Sequence, residues 1–138
     1  MIPVLVLTHG RLAEELLEAG RSIDSKLLEH SSALALPWEI DSDEASRQLK
    51  QRLKELDQGA GVLILTDMFG GTATNLALPF LDPGKVEVVT GANLPMLVKL
   101  GSLRDVELPL HELALRLTAA GQKSIRVASE FLRQSGSG

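Results

Sequence analysis

The sequence predicts an α/β fold: a doubly wound, mainly parallel four-stranded sheet with helices on both faces. Three observations carry this. Short, nearly all-apolar runs alternate with helix-length amphipathic segments, the mark of βαβ units. Three of the four runs have almost no polar residue, as strands covered on both faces require. At 138 residues with 44% apolar content, the chain can build one sizeable core but not comfortably two. Residues 1–133 read as a single domain and residues 134–138, Gln-Ser-Gly-Ser-Gly, as a flexible tail.

In chain order, residues 3–8 form the first strand. Leu12, Leu16, Ala19, Ile23 and Leu27 then recur at helical spacing and predict the first helix. A second strand over residues 33–37 leads to Asp41, which with Glu44 three positions later makes a capping box for a helix carrying Ala45, Leu49, Leu53 and Leu56. The third strand spans residues 61–66, followed by a shorter helix over 72–81 that Asp82-Pro83-Gly84 closes. A fourth strand over 85–90 precedes a short helix over 94–100. Leu110, Leu113, Ala114, Leu117, Gly121, Ile125, Ala128 and Leu132 form one stripe, read as a single long C-terminal helix. Glu112 at its start and Arg126 and Arg133 near its end complement the helix dipole.

A formal net charge of -4 leaves no basic footprint, which argues against nucleic acid and against direct contact with an anionic membrane. The chain has no cysteine, so disulfides, thiolate catalysis and thiolate metal sites are excluded. Its first apolar run is too short to span a bilayer and lacks the basic flank and cleavage site of a leader, so a cytoplasmic location is expected. There is no G-x-x-x-x-G-K-[ST], no G-x-G-x-x-G before the first helix and no G-x-S-x-G, and the three histidines are scattered. No metal or cofactor is predicted.

In an open parallel sheet the functional loops lie at the carboxyl ends of the strands. Three such ends read Thr8-His9-Gly10, Asp67-Met68-Phe69-Gly70-Gly71-Thr72 and Thr90-Gly91-Ala92-Asn93-Leu94-Pro95. An imidazole with the ordinary pKa of about 6.5 is partly neutral at cellular pH, and only the neutral ring has a lone pair that can attack phosphorus. His9 is therefore the candidate nucleophile. Asp67 would orient its ring by accepting one N–H and would stabilise the charge that develops. Gly70 and Gly71 can turn backbone N–H groups inward before a helix N-terminus, which makes an anion site, with Thr72 and Thr74 as hydroxyl donors and Thr72 the better placed. Plainer uses exist: Asp67 could cap the following helix, and the glycines could serve a tight turn. The combination on one sheet edge favours a phosphoryl carrier. Met68, Phe69, Leu94 and Met96, with Asn93 beside them, are candidate partner-docking residues. His30 and His111 read as solvated, and Trp38 as a packing or contact residue.

Three motifs give the chain a resemblance to the EIIA component of the mannose-family (mannose/fructose/sorbose) phosphoenolpyruvate-dependent sugar phosphotransferase system (PTS). They are Thr8-His9-Gly10 after an apolar strand, Leu63-Ile64-Leu65-Thr66-Asp67-Met68-Phe69-Gly70-Gly71-Thr72, and Val89-Thr90-Gly91-Ala92-Asn93-Leu94-Pro95-Met96-Leu97. The resemblance implies a phosphocarrier that takes a phosphoryl group from phospho-HPr on His9, through Nε2, and passes it to a histidine of a separate EIIB protein. Asp67 matches the carboxylate that pairs with the histidine and Thr72 the hydroxyl beside the phosphate. It further implies a homodimer in which an extra C-terminal strand can be exchanged, and membrane association only through the EIIC and EIID components. Ala73 stands where the family often has proline, which removes a constraint at the first helical turn but adds no clash. The alternative weighed against the relay is a regulatory module that binds a partner according to the phosphorylation state of His9. Gly91-Ala92-Asn93-Leu94-Pro95 argues against the related phosphotransferase subunit of dihydroxyacetone kinase.

Overall fold

A computed structural model of the chain describes residues 1–37 and 39–136, so the reading of Trp38 lies outside the described residues. Strands β1 (Val4–His9), β2 (Ser31–Leu36), β3 (Val62–Thr66) and β4 (Val86–Val89) form one sheet in the order β2-β1-β3-β4, every adjacent pair parallel. The four strands fall where the apolar runs predict them, with ends shifted by one or two residues.

Alternation along the strands divides the core between the two faces. Val4, Val6, Leu63 and Leu65 pack with α1 (Leu12–Arg21), α4 (Leu94–Leu103) and α5 (Leu110–Lys123). Leu5, Leu7, Leu34, Leu36, Val62 and Ile64 pack with α2 (Ser42–Leu56) and α3 (Thr72–Ala77). Each fully buried aliphatic side chain contributes roughly 1.5–3 kcal/mol, so both layers are needed and the sheet is doubly wound as expected. The Asp41 carboxylate caps α2 by accepting the Glu44 N–H at 3.2 Å.

The register positions the site. Leu7 stands opposite Thr66, the last residue of β3, so β1 outruns its neighbour and His9 arrives beside Asp67. The chain moves from β1 to β2 on one side and crosses to β3 on the other, making this edge the switch point of the sheet, where such folds bind ligands.

The opposite end of the sheet is tied by Arg104, which is only 5% exposed. Its guanidinium donates to the Ile2 carbonyl at 2.8 Å, to Ser31 Oγ at 2.9 Å and to the His30 carbonyl at 3.4 Å. Burial pushes its pKa down to about 10. His30 holds a left-handed backbone (φ 54°), and its carbonyl also accepts the Val4 N–H at 2.9 Å.

Four expectations are corrected. The first stripe is not one helix: α1 stops at Arg21, and Leu27 belongs to a 3₁₀ turn, Ser25–Leu28. Asp24 caps that turn through the Lys26 N–H at 3.0 Å, and Leu27 folds back onto Gly20, where a Cβ would lie 2.6 Å from its Cδ2. Ile23, the other residue of the stripe past the break, is 58% exposed. The helix predicted over 72–81 is α3 followed by a 3₁₀ turn, Leu78–Phe80, because Pro79 has no N–H to continue the ladder.

The C-terminal stripe is also broken, into α5 and α6 (Ala128–Gly136). Packing against α4 ends at Gly121, where a Cβ would sit 3.1 Å from Met96 Cε; beyond it Ile125 and Val127 are exposed, and Arg126 Nε donates to the Lys123 carbonyl at 3.1 Å. Residues 128–136 are thus helical and buried nowhere, so among the described residues there is no fifth strand to exchange. Of the tail read over residues 134–138, residues 134–136 continue this helix, and residues 137 and 138 lie outside the described residues.

Candidate functional site

The site grows out of the ends of β1 and β3. Buried Thr8 accepts the Ala13 N–H on its Oγ1 at 2.7 Å, which holds the start of α1 against the end of β1. Gly10, in the left-handed region (φ 53°), turns the chain out of the strand while its N–H donates to the Leu36 carbonyl at 2.8 Å. His9 is thereby fixed on both sides in sequence.

Asp67 Oδ2 lies 3.0 Å from His9 Nδ1 and accepts the His9 backbone N–H at 3.2 Å, and Oδ1 accepts the Met68 N–H at 3.0 Å. The side chains of His9 and Asp67 are 20% and 12% exposed, so the pair is only partly screened by water. Burial pushes the Asp67 carboxyl up, but hydrogen bonds from the His9 ring and backbone N–H, with the ring's charge, outweigh it and hold the pKa below the usual carboxylate value. The carboxylate is therefore ionised at neutral pH and fixes the imidazole with Nδ1 toward it.

Gly70 is left-handed (φ 81°) with open space about its Cα, as a glycine serving backbone conformation should be. Gly71 differs: its φ is ordinary, but a Cβ there would lie 2.8 Å from Met68 Cγ and 3.4 Å from His9 Cε1, so it is glycine for close approach to the ring. It caps α3, and Thr72 follows at the first helical position, where backbone N–H groups have no acceptor within the helix. His9, Leu12, Asp67, Met68, Gly70, Gly71, Thr72 and Asn75 line an open depression of about 530 Å³. A second hollow of about 470 Å³, near Arg104 at the other end of the sheet, lies away from this chemistry.

The predicted residues separate into groups. His9, Asp67, Gly70, Gly71 and Thr72 converge. Thr74 does not serve as a phosphate donor: it is fully buried, with Oγ1 donating to the Met68 carbonyl at 2.5 Å. Met68 and Phe69 are 56% and 77% exposed, and Met68 lines the depression with His9. Met96 is instead 3% exposed and packed in the core, which removes it from any rim. Asn93 is committed to structure, capping α4 through the Met96 N–H at 3.0 Å and donating from Nδ2 to the Gly121 carbonyl at 3.3 Å. Leu94 is half-buried over a separate groove with Ile23 and Val98. His111 is exposed, with Nδ1 3.3 Å from Glu87 Oε2.

Leu12 and Asn75 line the depression without having been singled out as candidates. Asn75 could have been found from its spacing, one helical turn after Thr72 on the helix that Gly71 begins. Among the described residues, no three His, Asp or Glu side chains converge to hold a metal ion, and no helix is long and apolar enough to cross a membrane.

Comparison with known proteins places this geometry in context. The family model EIIA-man, described as PTS system fructose IIA component, matches residues 3–117. The PTS system fructose-specific EIIA component of Bacillus subtilis (strain 168) is 34% identical, over 97% of this chain and 91% of that protein. The PTS system mannose-specific EIIAB component of Escherichia coli (strain K12) is 29% identical over 91% of this chain, which spans only 39% of that longer protein. Among solved structures, the mannose/sorbose specific IIA subunit from Enterococcus faecalis superposes with a TM-score of 0.80 at 29% identity, covering 92% of this chain and 95% of that one.

Proposed function

The chain belongs to the EIIA-man family of phosphotransferase-system components, and on that premise we propose that it is a phosphocarrier whose His9 takes a phosphoryl group from phospho-HPr and gives it to a histidine of an EIIB partner. The observation that carries the reading is the 3.0 Å contact between His9 Nδ1 and Asp67 Oδ2. With the carboxylate ionised, Nδ1 keeps its proton and the lone pair resides on Nε2. Nε2 attacks phosphorus; the Nε2–P bond forms as the N–P bond of the donor histidine breaks, and the positive charge that develops on the ring is met by Asp67. Onward transfer reverses these changes at Nε2, and Nδ1 holds its proton throughout.

Two features support a carrier over a trap. Gly70, Gly71 and Thr72 present backbone and hydroxyl dipoles to the phosphoryl oxygens. Among the described residues lining the depression there is no Lys or Arg, so the group is steadied without being locked by a full charge. Openness suits macromolecular partners, for which exposed Met68 and Phe69 provide an apolar contact. Assembly as a homodimer and a cytoplasmic location accompany this proposal.

Incubation with phosphoenolpyruvate, enzyme I and HPr is expected to add one acid-labile phosphoryl group, seen by intact mass spectrometry and mapped to His9. The His9→Ala variant should remain unlabelled. Equal labelling of that variant, or no labelling of the wild type in a mixture that labels a known EIIA, overturns the proposal.

A further inference from the structure

Behind the site, two buried hydroxyls do something that two valines of the same shape could not. Thr66, the last residue of β3, and Thr74, in α3, are both fully buried, with their Oγ1 atoms 2.7 Å apart. Thr74 Oγ1 is also 2.5 Å from the Met68 carbonyl oxygen. A hydroxyl has one proton. That of Thr74 goes to the carbonyl, so the proton of Thr66 is given to Thr74, and the chain of donation runs one way, from Thr66 through Thr74 to Met68. A hydroxyl that accepts while it donates is the stronger donor.

Met68 is the hinge between the two halves of the site. Its N–H is held by Asp67 Oδ1 at 3.0 Å, while its carbonyl takes the Thr74 hydroxyl and, at 3.4 Å, the Gly71 N–H. Gly71 in turn packs so closely on the imidazole that a Cβ would touch His9 Cε1 at 3.4 Å. Slack at the Met68 carbonyl is thus transmitted both to the carboxylate that orients the ring and to the turn that receives the phosphoryl group.

We infer that Thr74, backed by Thr66, is a positioning residue for phosphoryl transfer, setting the Asp67 carboxylate and the Gly70-Gly71 turn in register about His9. This rests on the phosphocarrier reading. The test compares Thr74→Val, Thr74→Ser and Thr66→Val in two measurements: the rate of His9 phosphorylation by phospho-HPr in rapid quench, and the His9 tautomer read from ¹⁵N chemical shifts of the unphosphorylated protein. Thr74→Val is expected to slow transfer about tenfold and to lower the Nδ1–H population; Thr74→Ser, which keeps the donor, should return the rate to within about twofold of wild type. Thr66→Val, which leaves the Thr74 bond to Met68 intact, should fall between them. A folded Thr74→Val protein with wild-type rate and tautomer, or a Thr74→Ser protein as slow as Thr74→Val, overturns the inference. Should Thr74→Val not fold, Thr66→Val decides: a slower rate with a shifted tautomer supports the inference, and wild-type values reject it. If the wild type itself takes no phosphoryl group, the phosphocarrier reading fails, and the tautomer comparison still judges the positioning by Thr74.

Discussion

Asp67→Asn preserves the shape of the side chain and removes its charge and one of its two acceptors. In the wild type, Oδ2 faces the His9 ring and backbone N–H while Oδ1 accepts from Met68. The amide has one oxygen for these two sides. Turned toward His9, it sets its NH₂ against the Met68 N–H. Turned toward Met68, it offers NH₂ to Nδ1 and drives the ring proton to Nε2, removing the lone pair from the attacking nitrogen. A hydrogen bond to a charged partner is worth about 1.5–3 kcal/mol and a neutral one about 0.5–1.5 kcal/mol, so the ring cation loses about 1–2 kcal/mol of stabilisation. That corresponds to a rate roughly 5–30-fold lower. The attraction of unit charges 4 Å apart near a protein surface, about 4 kcal/mol, sets an upper limit of about a thousandfold. Rapid-quench transfer from phospho-HPr measures the rate, with circular dichroism to verify the fold. A folded Asp67→Asn protein within twofold of wild type would refute the orienting role.

Acid stability follows from the same carboxylate. Its folded pKa lies below the usual 3.8, so its contribution is complete above that value and is lost as the pH falls through the depressed folded value. The gap in urea stability between wild type and Asp67→Asn should persist from neutral pH to about pH 5 and begin to close as the pH falls below about 3.8; a gap unchanged at pH 3 contradicts this. The two glycines should behave differently from each other. Gly70→Ala, strained only by its positive φ, is expected to cost about 1–2 kcal/mol in urea unfolding and to slow transfer less than Gly71→Ala does. Gly71→Ala, with a Cβ 2.8 Å from Met68 Cγ and 3.4 Å from His9 Cε1, should slow transfer more than it destabilises. The reverse pattern would show that the two roles have been exchanged.

How much could be read from the residues depends on what each signal encodes. The strands were legible because buried parallel strands are uniformly apolar, and the His9–Asp67 pair because both residues directly follow such runs on one edge. Helical spacing proved weaker where a turn satisfies the same period. Leu27 reaches the core from a 3₁₀ turn, while Ile125 and Leu132 continue the stripe past Gly121 and are 76% and 66% exposed. Met96 and Thr74 were misplaced for one reason. Position in a loop motif says which residues come near the site, whereas the direction of a side chain is set by packing: Met96 turns under Gly121, and Thr74 turns toward Thr66. Asn75 was reachable from its spacing after Thr72, yet an amide in a helix carries no distinctive chemical signature.

The Arg104 tie gives the chain a schedule as well as a shape. The guanidinium reaches carbonyls 102 and 74 positions away in sequence, and Asp67 lies 58 positions after the histidine it orients. On a ribosome adding about 5–20 residues per second, the first strand waits at least about 3–12 s for β3 and its carboxylate, and about 5–20 s for the arginine that fastens its base. Over that interval β2, α1 and α2 can already cover part of the first strand, but Val4 and Val6 still lack α4 and α5, and Leu5 and Leu7 still lack α3. His9 is made early and gains its carboxylate partner only after 58 further residues have followed it.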